Sequence, residues 1–373
     1  MHKEKITYVF ELGRKEKLFE EEYSKEFYYG YHHFLKEYEN TSFIELQGID
    51  YRRNNFLYLI DKILRKVTNL PFHFSRIENK KILSDYKNSD VVIFSSERSA
   101  ISSLYVYRKA RKKKKIKSLM IVMGLFVKPN NSTTLKPLKE FFIKYILKTL
   151  DHVVFLSRTE FNIAKEKYPN FSEKFNYIPF SVDTSFWNEN NKISLDKKNK
   201  ILFIGNDGRR NFKKFLEIAH KLPDFEFLCI TEKISSQEIM SNNVELISGH
   251  WNRNILTDEE IKNIYSSSRI SIIPLHNSLQ PSGQSVAQQS MAMGVPVIIS
   301  RTDGFWDFEK YKNNENIVFQ NNEDVEDWAN TIISLYANEN MLKKISINGL
   351  ALINKTNNLD NFYREIKNIL KLD

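Results

Sequence analysis

The 373-residue chain contains one cysteine, so no intramolecular disulfide can form. Cys229 stands inside the apolar run FEFLCIT, where it reads as a buried thiol in a reducing compartment. No apolar run approaches the roughly 20 residues that a spanning helix requires. The stretch MHKEKITYVFELGRK puts charges directly before a strand-like segment and lacks the apolar core and cleavage site of a secretory signal. A cytoplasmic protein is therefore expected, at most peripheral to the inner face of a membrane. Zinc-ligand spacing, recognition-helix signatures and aromatic–basic RNA motifs are also missing, so nucleic acid is not an expected partner.

What the chain does have is positive charge and alternation. The formal net charge is +10, and RKARKKKKIK, Arg108 to Lys117, holds eight cations in ten residues. LKPLKEFFIKYILKTL, Leu135 to Leu150, mixes large apolar residues with Lys136, Lys139, Lys144 and Lys148. The pairing fits an anionic membrane surface; the plainer alternative is a solvated helix end beside an ordinary amphipathic helix. Strand-like runs alternate with helix-period segments along the whole chain, the pattern of parallel α/β layers. Ser157 with Glu160, and Thr257 with Glu260, have the spacing of helix-starting capping boxes.

The length exceeds that of a single core, so two domains are expected. The boundaries predicted are 1–180 for an N-terminal Rossmann-like acceptor domain, 181–200 for a hinge and 201–350 for a C-terminal Rossmann-like donor domain. A final helical segment, 351–373, is expected to pack back toward the N-terminal domain. Polar NENNKISLDKKNK supplies the hinge.

In parallel sheets, ligands bind beyond the carboxyl ends of strands, where helix N-termini point. ILFIGNDGRRNFKKF ends a strand at Gly205, continues through Asn206, and sets Arg209, Arg210, Lys213 and Lys214 around the next helix start. Cations at the positive end of a helix are compensated by an anionic ligand such as phosphate. LQPSGQSVAQQSMAMGVPVIIS follows another strand and begins a helix with Ser282, Gly283, Gln284 and Ser285. Gln289 lies one turn deeper on the face of Ser285, and its amide can donate to and accept from a sugar diol. His250, in SGHWNRN, is the expected flank of a nucleobase. Acceptor-side candidates, from topology, are Gly13, Arg14, Glu26, Ser96 and Gly124.

QSMAMGVPV, with Met291-Ala292, Gly294 and Pro296-Val297, resembles the tail of the segment E-G-F-G-x-x-x-x-E-A-M-A-x-G-x-P-V. IPFSVDTSFW, Ile178 to Trp187, resembles an I-P-N-G-V-D-x-x-x-F hinge, and GNDGRRNF a G-R-x-x-x-x-K-G loop. On these motifs the second half resembles the donor domain of GT-B glycosyltransferases, above all the retaining glycosyltransferase family 4. The resemblance implies two Rossmann-like domains, with mainly parallel sheets, facing each other across a cleft. It also implies transfer of a sugar from a nucleotide sugar to a glycan or lipid-linked glycan with retention, in building a bacterial surface glycan such as lipopolysaccharide or capsule. Arg210, with Arg209, would stabilise the leaving diphosphate. No metal or other cofactor is expected, since no Asp-x-Asp pair ends a strand.

The family's two glutamates, one on the donor sugar and one on the ribose, fall here at Pro281 and Gln289. Two alternatives therefore stay open: a catalytically degenerate GT-B binding protein, and a GT-B nucleotide-sugar epimerase.

Overall fold

The computed structural model describes residues 3–19, 22–47, 55–129, 133–188, 199–248, 256–321 and 324–372. The chain divides into two compact units: Met1–Glu20, Phe27–Pro179 and Asp360–Asp373 form the first, and Glu21–Glu26 with Phe180–Leu359 the second. Half of the expected hinge, residues 189–198, lies outside the described residues.

In the first unit the strands are β1 (Ile6–Phe10), β2 (Ser42–Glu45), β3 (Val91–Phe94), β4 (Lys117–Val122), β5 (His152–Phe155) and β6 (Phe175–Tyr177). They form a six-stranded sheet in the order β2-β1-β3-β4-β5-β6, parallel throughout. The helices are α1 (Arg14–Lys17), α2 (Tyr31–Glu37), α3 (Asn55–Thr68), α4 (Asn79–Asn88), α5 (Glu97–Arg111), α6 (Lys136–Thr149) and α7 (Arg158–Lys167). Unbroken apolar runs such as Val91–Phe94 are buried along their length, as expected of strands covered on both faces. The C-terminal segment belongs to this unit: Tyr363 meets the Phe34 ring edge-on, and Lys367 Nζ lies 2.9 Å from Glu37 Oε2.

The second unit has β7 (Lys200–Ile204), β8 (Phe227–Ile230), β9 (Val244–Ile247), β10 (Ser268–Ile273), β11 (Val297–Ser300) and β12 (Val318–Gln320). Its sheet is also six-stranded, in the order β12-β11-β10-β7-β8-β9, and parallel. Here α8 (Phe212–Lys221), α9 (Asp258–Ser267), α10 (Gln284–Ala292), α11 (Val325–Ala337) and α12 (Glu339–Thr356) surround it, and α13 (Leu359–Leu370) begins at its end. Phe203 and Phe215 stack in the core under α8. Cys229 is buried in β8, and burial pushes its thiol up to about 12.

The strand order reverses between β7 and β10, with later strands added on opposite sides. Such a switch point opens a crevice at the carboxyl ends of its two central strands. The GT-B architecture expected from the sequence is thereby present as two six-stranded parallel α/β units.

Candidate active site

Two loops meet at the switch point of the second unit. The loop after β7, Gly205–Asn211, is tied to the segment after β10 by Asn211 N–H to Pro274 O (2.9 Å) and His276 N–H to Arg209 O (2.9 Å). Gly205 has φ 155°, and a Cβ there would stand 2.3 Å from Arg210 Nε. Only glycine leaves room for that guanidinium to fold back over the strand end. Arg210 donates from Nε to Ile204 O at 3.2 Å.

Arg210 is 3% exposed. Its Nη1 lies 3.0 Å from Asp207 Oδ2, yet among the described residues no hydrogen bond of good geometry forms there. Burial lowers its pKa, and Asp207 opposes that shift. A buried cation with an unsatisfied N–H is costly unless an anion completes its shell. The N-terminus of α10 is close by. Gly283 caps it in the left-handed region at φ 78°, and a Cβ at Gly283 would lie 3.4 Å from Arg210 Nη1. The first-turn N–H groups of a helix have no intrahelical partner and carry partial positive charge. Guanidinium and helix end together make an anion cradle.

Around it, Arg209 Nη2 donates to Gln280 Oε1 at 3.2 Å. Asn206 instead points its Oδ1 to the loop after β8, accepting from Thr231 Oγ1 (2.9 Å) and Glu232 N (2.7 Å). Lys213 stands out in solvent, 3.6 Å from Glu217. Ser282 and Ser285 are half-buried at the start of α10, and Gln284 is buried. His250 lies outside the described residues.

Gln289, the expected diol contact, is buried. Its Oε1 accepts from the Tyr265 hydroxyl at 3.2 Å, and its Nε2 donates to Glu26 Oε1 at 2.8 Å. Each end of the amide thus makes one bond inside the unit, while an amide can donate two and accept two. Glu26 is a correction: expected among acceptor loops of the first half, it belongs to the second unit. Its Oε1 also accepts from Trp187 Nε1 at 2.9 Å. Oε2 is buried without a partner among the described residues. Burial raises this carboxyl from 4.5 to about 7, against the lowering by its hydrogen bonds from Gln289 and Trp187. A lone acid before three aromatic residues, EFYY, was the available sign that this carboxyl would be buried.

In the first unit the order reverses between β1 and β3, and the remaining acceptor-side candidates stand at strand ends. Gly13, at φ 101°, precedes α1, and Arg14 N–H donates to Glu45 Oε1 at 2.6 Å. Ser96 caps α5 and donates from Oγ to Glu11 Oε1 at 2.7 Å; Arg98 holds the other oxygen of Glu11 at 2.6 Å. Gly124, after β4, donates its N–H to Glu160 Oε2 at 2.7 Å, and Phe126 N–H to Oε1 at 2.9 Å. Burial raises the Glu160 carboxyl to about 7, and burial raises that of Glu97 too. Glu11 and Glu160 were missed as members of this edge; Glu160 had been read only as half of a capping box.

Residues 198–338 match the family model described as glycosyl transferases group 1. No curated protein matches the sequence. Among solved structures, a glycosyltransferase from Rickettsia africae ESF-5 is similar at 18% identity and a TM-score of 0.66, covering 100% of both chains. HepE from Anabaena, solved with UDP and glucose, is similar at 10% identity and a TM-score of 0.67, over 99% of this chain and 100% of its own. Sucrose-phosphate synthase from Thermosynechococcus elongatus is similar at 13% and 0.69, over 99% and 98%. A group 1 glycosyl transferase segment thus surrounds the anion cradle, and the chain has the GT-B fold along its length.

Proposed function

We propose that the second unit binds a nucleoside-diphosphate sugar at the ends of β7 and β10, and that the chain transfers the sugar to a glycan or lipid-linked glycan. The observation that carries this is Arg210: a buried guanidinium, paired with Asp207 and set beside the glycine that starts α10. The α- and β-phosphates occupy the cradle, and the N–H groups of Ser282 to Ser285 face them. HepE, solved with UDP and glucose, supports such a donor. As the glycosidic bond breaks, negative charge grows on the diphosphate, and Arg210 and Arg209 stabilise it without a metal ion. A leaving oxygen on the sugar's own face can take the acceptor's proton, which accounts for retention without a carboxylate nucleophile. The acceptor is assigned to the first unit's strand ends at Gly13, Ser96 and Gly124, whose carboxylates accept hydrogen bonds from sugar hydroxyls. The setting is assembly of a bacterial surface polysaccharide at the cytoplasmic face of the membrane, a placement supported by the basic first unit.

A second reading, a binding protein without turnover, is favoured by one observation: Gln289 stands where the family resemblance places a carboxylate, and its amide bonds Tyr265 and Glu26. Release of nucleoside diphosphate from UDP-, GDP- and ADP-sugars, with and without lipid-linked acceptor, separates the two. Acceptor-stimulated release from one donor, unchanged by chelator, is expected. Tight nucleotide binding with no release under any condition would establish the binding protein.

A further inference from the structure

The sequence singled out two basic segments that the transfer chemistry does not use, and the structure joins them to a third. Helices α3 and α6 meet end to end in the first unit: Leu135 N–H donates to Val67 O at 2.6 Å and Thr133 Oγ1 to Lys66 O at 3.0 Å. On α3, Leu59 and Ile63 sit one turn apart at 52% and 51% exposure, with Lys62 and Lys66 exposed on the same face. On α6, Leu135 and Phe141 are 55% and 60% exposed, among exposed Lys136, Lys144 and Lys148.

Acidic residues are kept off this face. Among the described residues of the two helices neither carboxylate is exposed. Asp61 is fully buried and accepts from Phe74 N, Ser75 N and Ser75 Oγ. Glu140 is half-buried and pairs with Lys167 and Tyr168. The tail of α5 lies alongside: Arg108 donates to the Tyr145 hydroxyl of α6, and Arg111 pairs with Asp151. Lys114 is held by Asp90, while Lys112, Lys113 and Lys115 remain half or fully exposed.

Large apolar side chains alone would fit a second copy of the chain or another protein. Ringed by lysines with no exposed carboxylate between them, they fit a surface that is apolar below and anionic above. We infer that the α3–α6 face docks on an anionic lipid surface, with Leu59, Ile63, Leu135 and Phe141 entering the headgroup region and the lysines on the phosphates. Docking does not depend on the donor-site reading, since it is measured without nucleotide or transfer.

The test is sedimentation of the full chain with phosphatidylcholine vesicles, with and without phosphatidylglycerol. Wild type is expected to pellet only with phosphatidylglycerol present and to be released by high salt. A Leu59→Ser, Ile63→Ser, Phe141→Ser triple variant should bind at least about tenfold more weakly, and so should Lys62→Gln, Lys66→Gln, Lys144→Gln, Lys148→Gln. Thermal unfolding should match wild type, because every changed side chain is exposed. Equal pelleting of wild type and both variants, or no pelleting of wild type, overturns the inference. So does loss of binding only when Lys112, Lys113 and Lys115 become glutamine. Self-association of wild type that the apolar variant abolishes would assign the face to a second copy instead.

Discussion

The two units share a fold and differ in what they place at the strand ends. Both are parallel six-stranded sheets, but the first runs β2-β1-β3-β4-β5-β6 and the second β9-β8-β7-β10-β11-β12. At the second unit's switch point stand Arg209 and Arg210 and the first turn of α10. At the first unit's edge stand Glu11, Glu97 and Glu160. Similar scaffolds thus place different groups at their strand ends, guanidinium groups in one unit and carboxyl groups in the other. Sheet topology alone decides where a site can be; the loop residues decide its polarity.

The largest expected effect breaks the cationic side. Arg210→Ala should lower turnover about 10²–10³-fold, or about 2.7–4 kcal/mol, by removing charge stabilisation from the leaving group. The exposed Arg98, paired with Glu11 in the first unit, is the matched control, and Arg98→Ala should change stability by less than about 1 kcal/mol. Steady-state kinetics of Arg210→Ala and thermal unfolding of both variants check this, and an Arg210→Ala enzyme of undiminished kcat would sink the assignment.

Next in size is a pH effect in which the units agree. Glu26 in one and Glu160 in the other each have a carboxyl raised from 4.5 to about 7. The folded chain therefore holds these protons more tightly than the unfolded chain. Their stabilising contribution is complete below about 4.5 and is lost as pH rises through about 7. Each group accounts for up to about 3 kcal/mol. Glu26→Gln should remove its share of the slope in urea unfolding between pH 5 and pH 8. A slope identical to wild type would show that Glu26 is ionised throughout.

Smaller, and opposite to what the family resemblance implies, is the outcome for Gln289→Glu. The resemblance makes this a harmless return to a carboxylate. The structure sets the new carboxylate against Glu26 Oε1, where Gln289 Nε2 now donates at 2.8 Å. Loss of that donor and like-charge contact should destabilise the protein by about 1–3 kcal/mol at pH 8, and less at pH 5. Equal melting temperatures for Gln289→Glu and wild type at pH 8 would refute the packing seen here.

The smallest effect compares two helix starts. Thr257 and Glu260 form a complete reciprocal box. Ser157 accepts from Glu160 N, but the Glu160 side chain turns instead to Gly124 and Phe126. Thr257→Ala should cost about 1 kcal/mol in thermal unfolding, and no change would show the cap idle.

Those helix starts also show what was legible. Spacing revealed both capping serine and threonine positions, because the cap is local. It could not reveal where Glu160 points, because Gly124 and Phe126 are distant in sequence. Ten strands showed as apolar runs. The edge strands Phe175–Tyr177 and Val318–Gln320 did not; at three residues each they are too short for any periodicity. Arg210 was legible from its loop, whereas its burial depends on Gly205 and Gly283 approaching from separate strands. Tyr265 and Trp187 gave no sign of joining Gln289, for the same reason.

The grouping of residues 22–26 with the second unit bears on how the chain can be dissected. A fragment spanning 180–359 holds every strand of the donor sheet and looks like a natural expression product. It lacks Ser24, whose N–H and Oγ both donate to Asp258 Oδ2 at 2.8 Å, and it lacks the carboxyl that bonds Trp187 and Gln289. Cut there, the fragment would leave the Trp187 indole N–H and the Gln289 Nε2 without the acceptor they share, in a dry interior. A truncation intended to isolate nucleotide binding has to carry that N-terminal pentapeptide, added in trans or grafted through a linker.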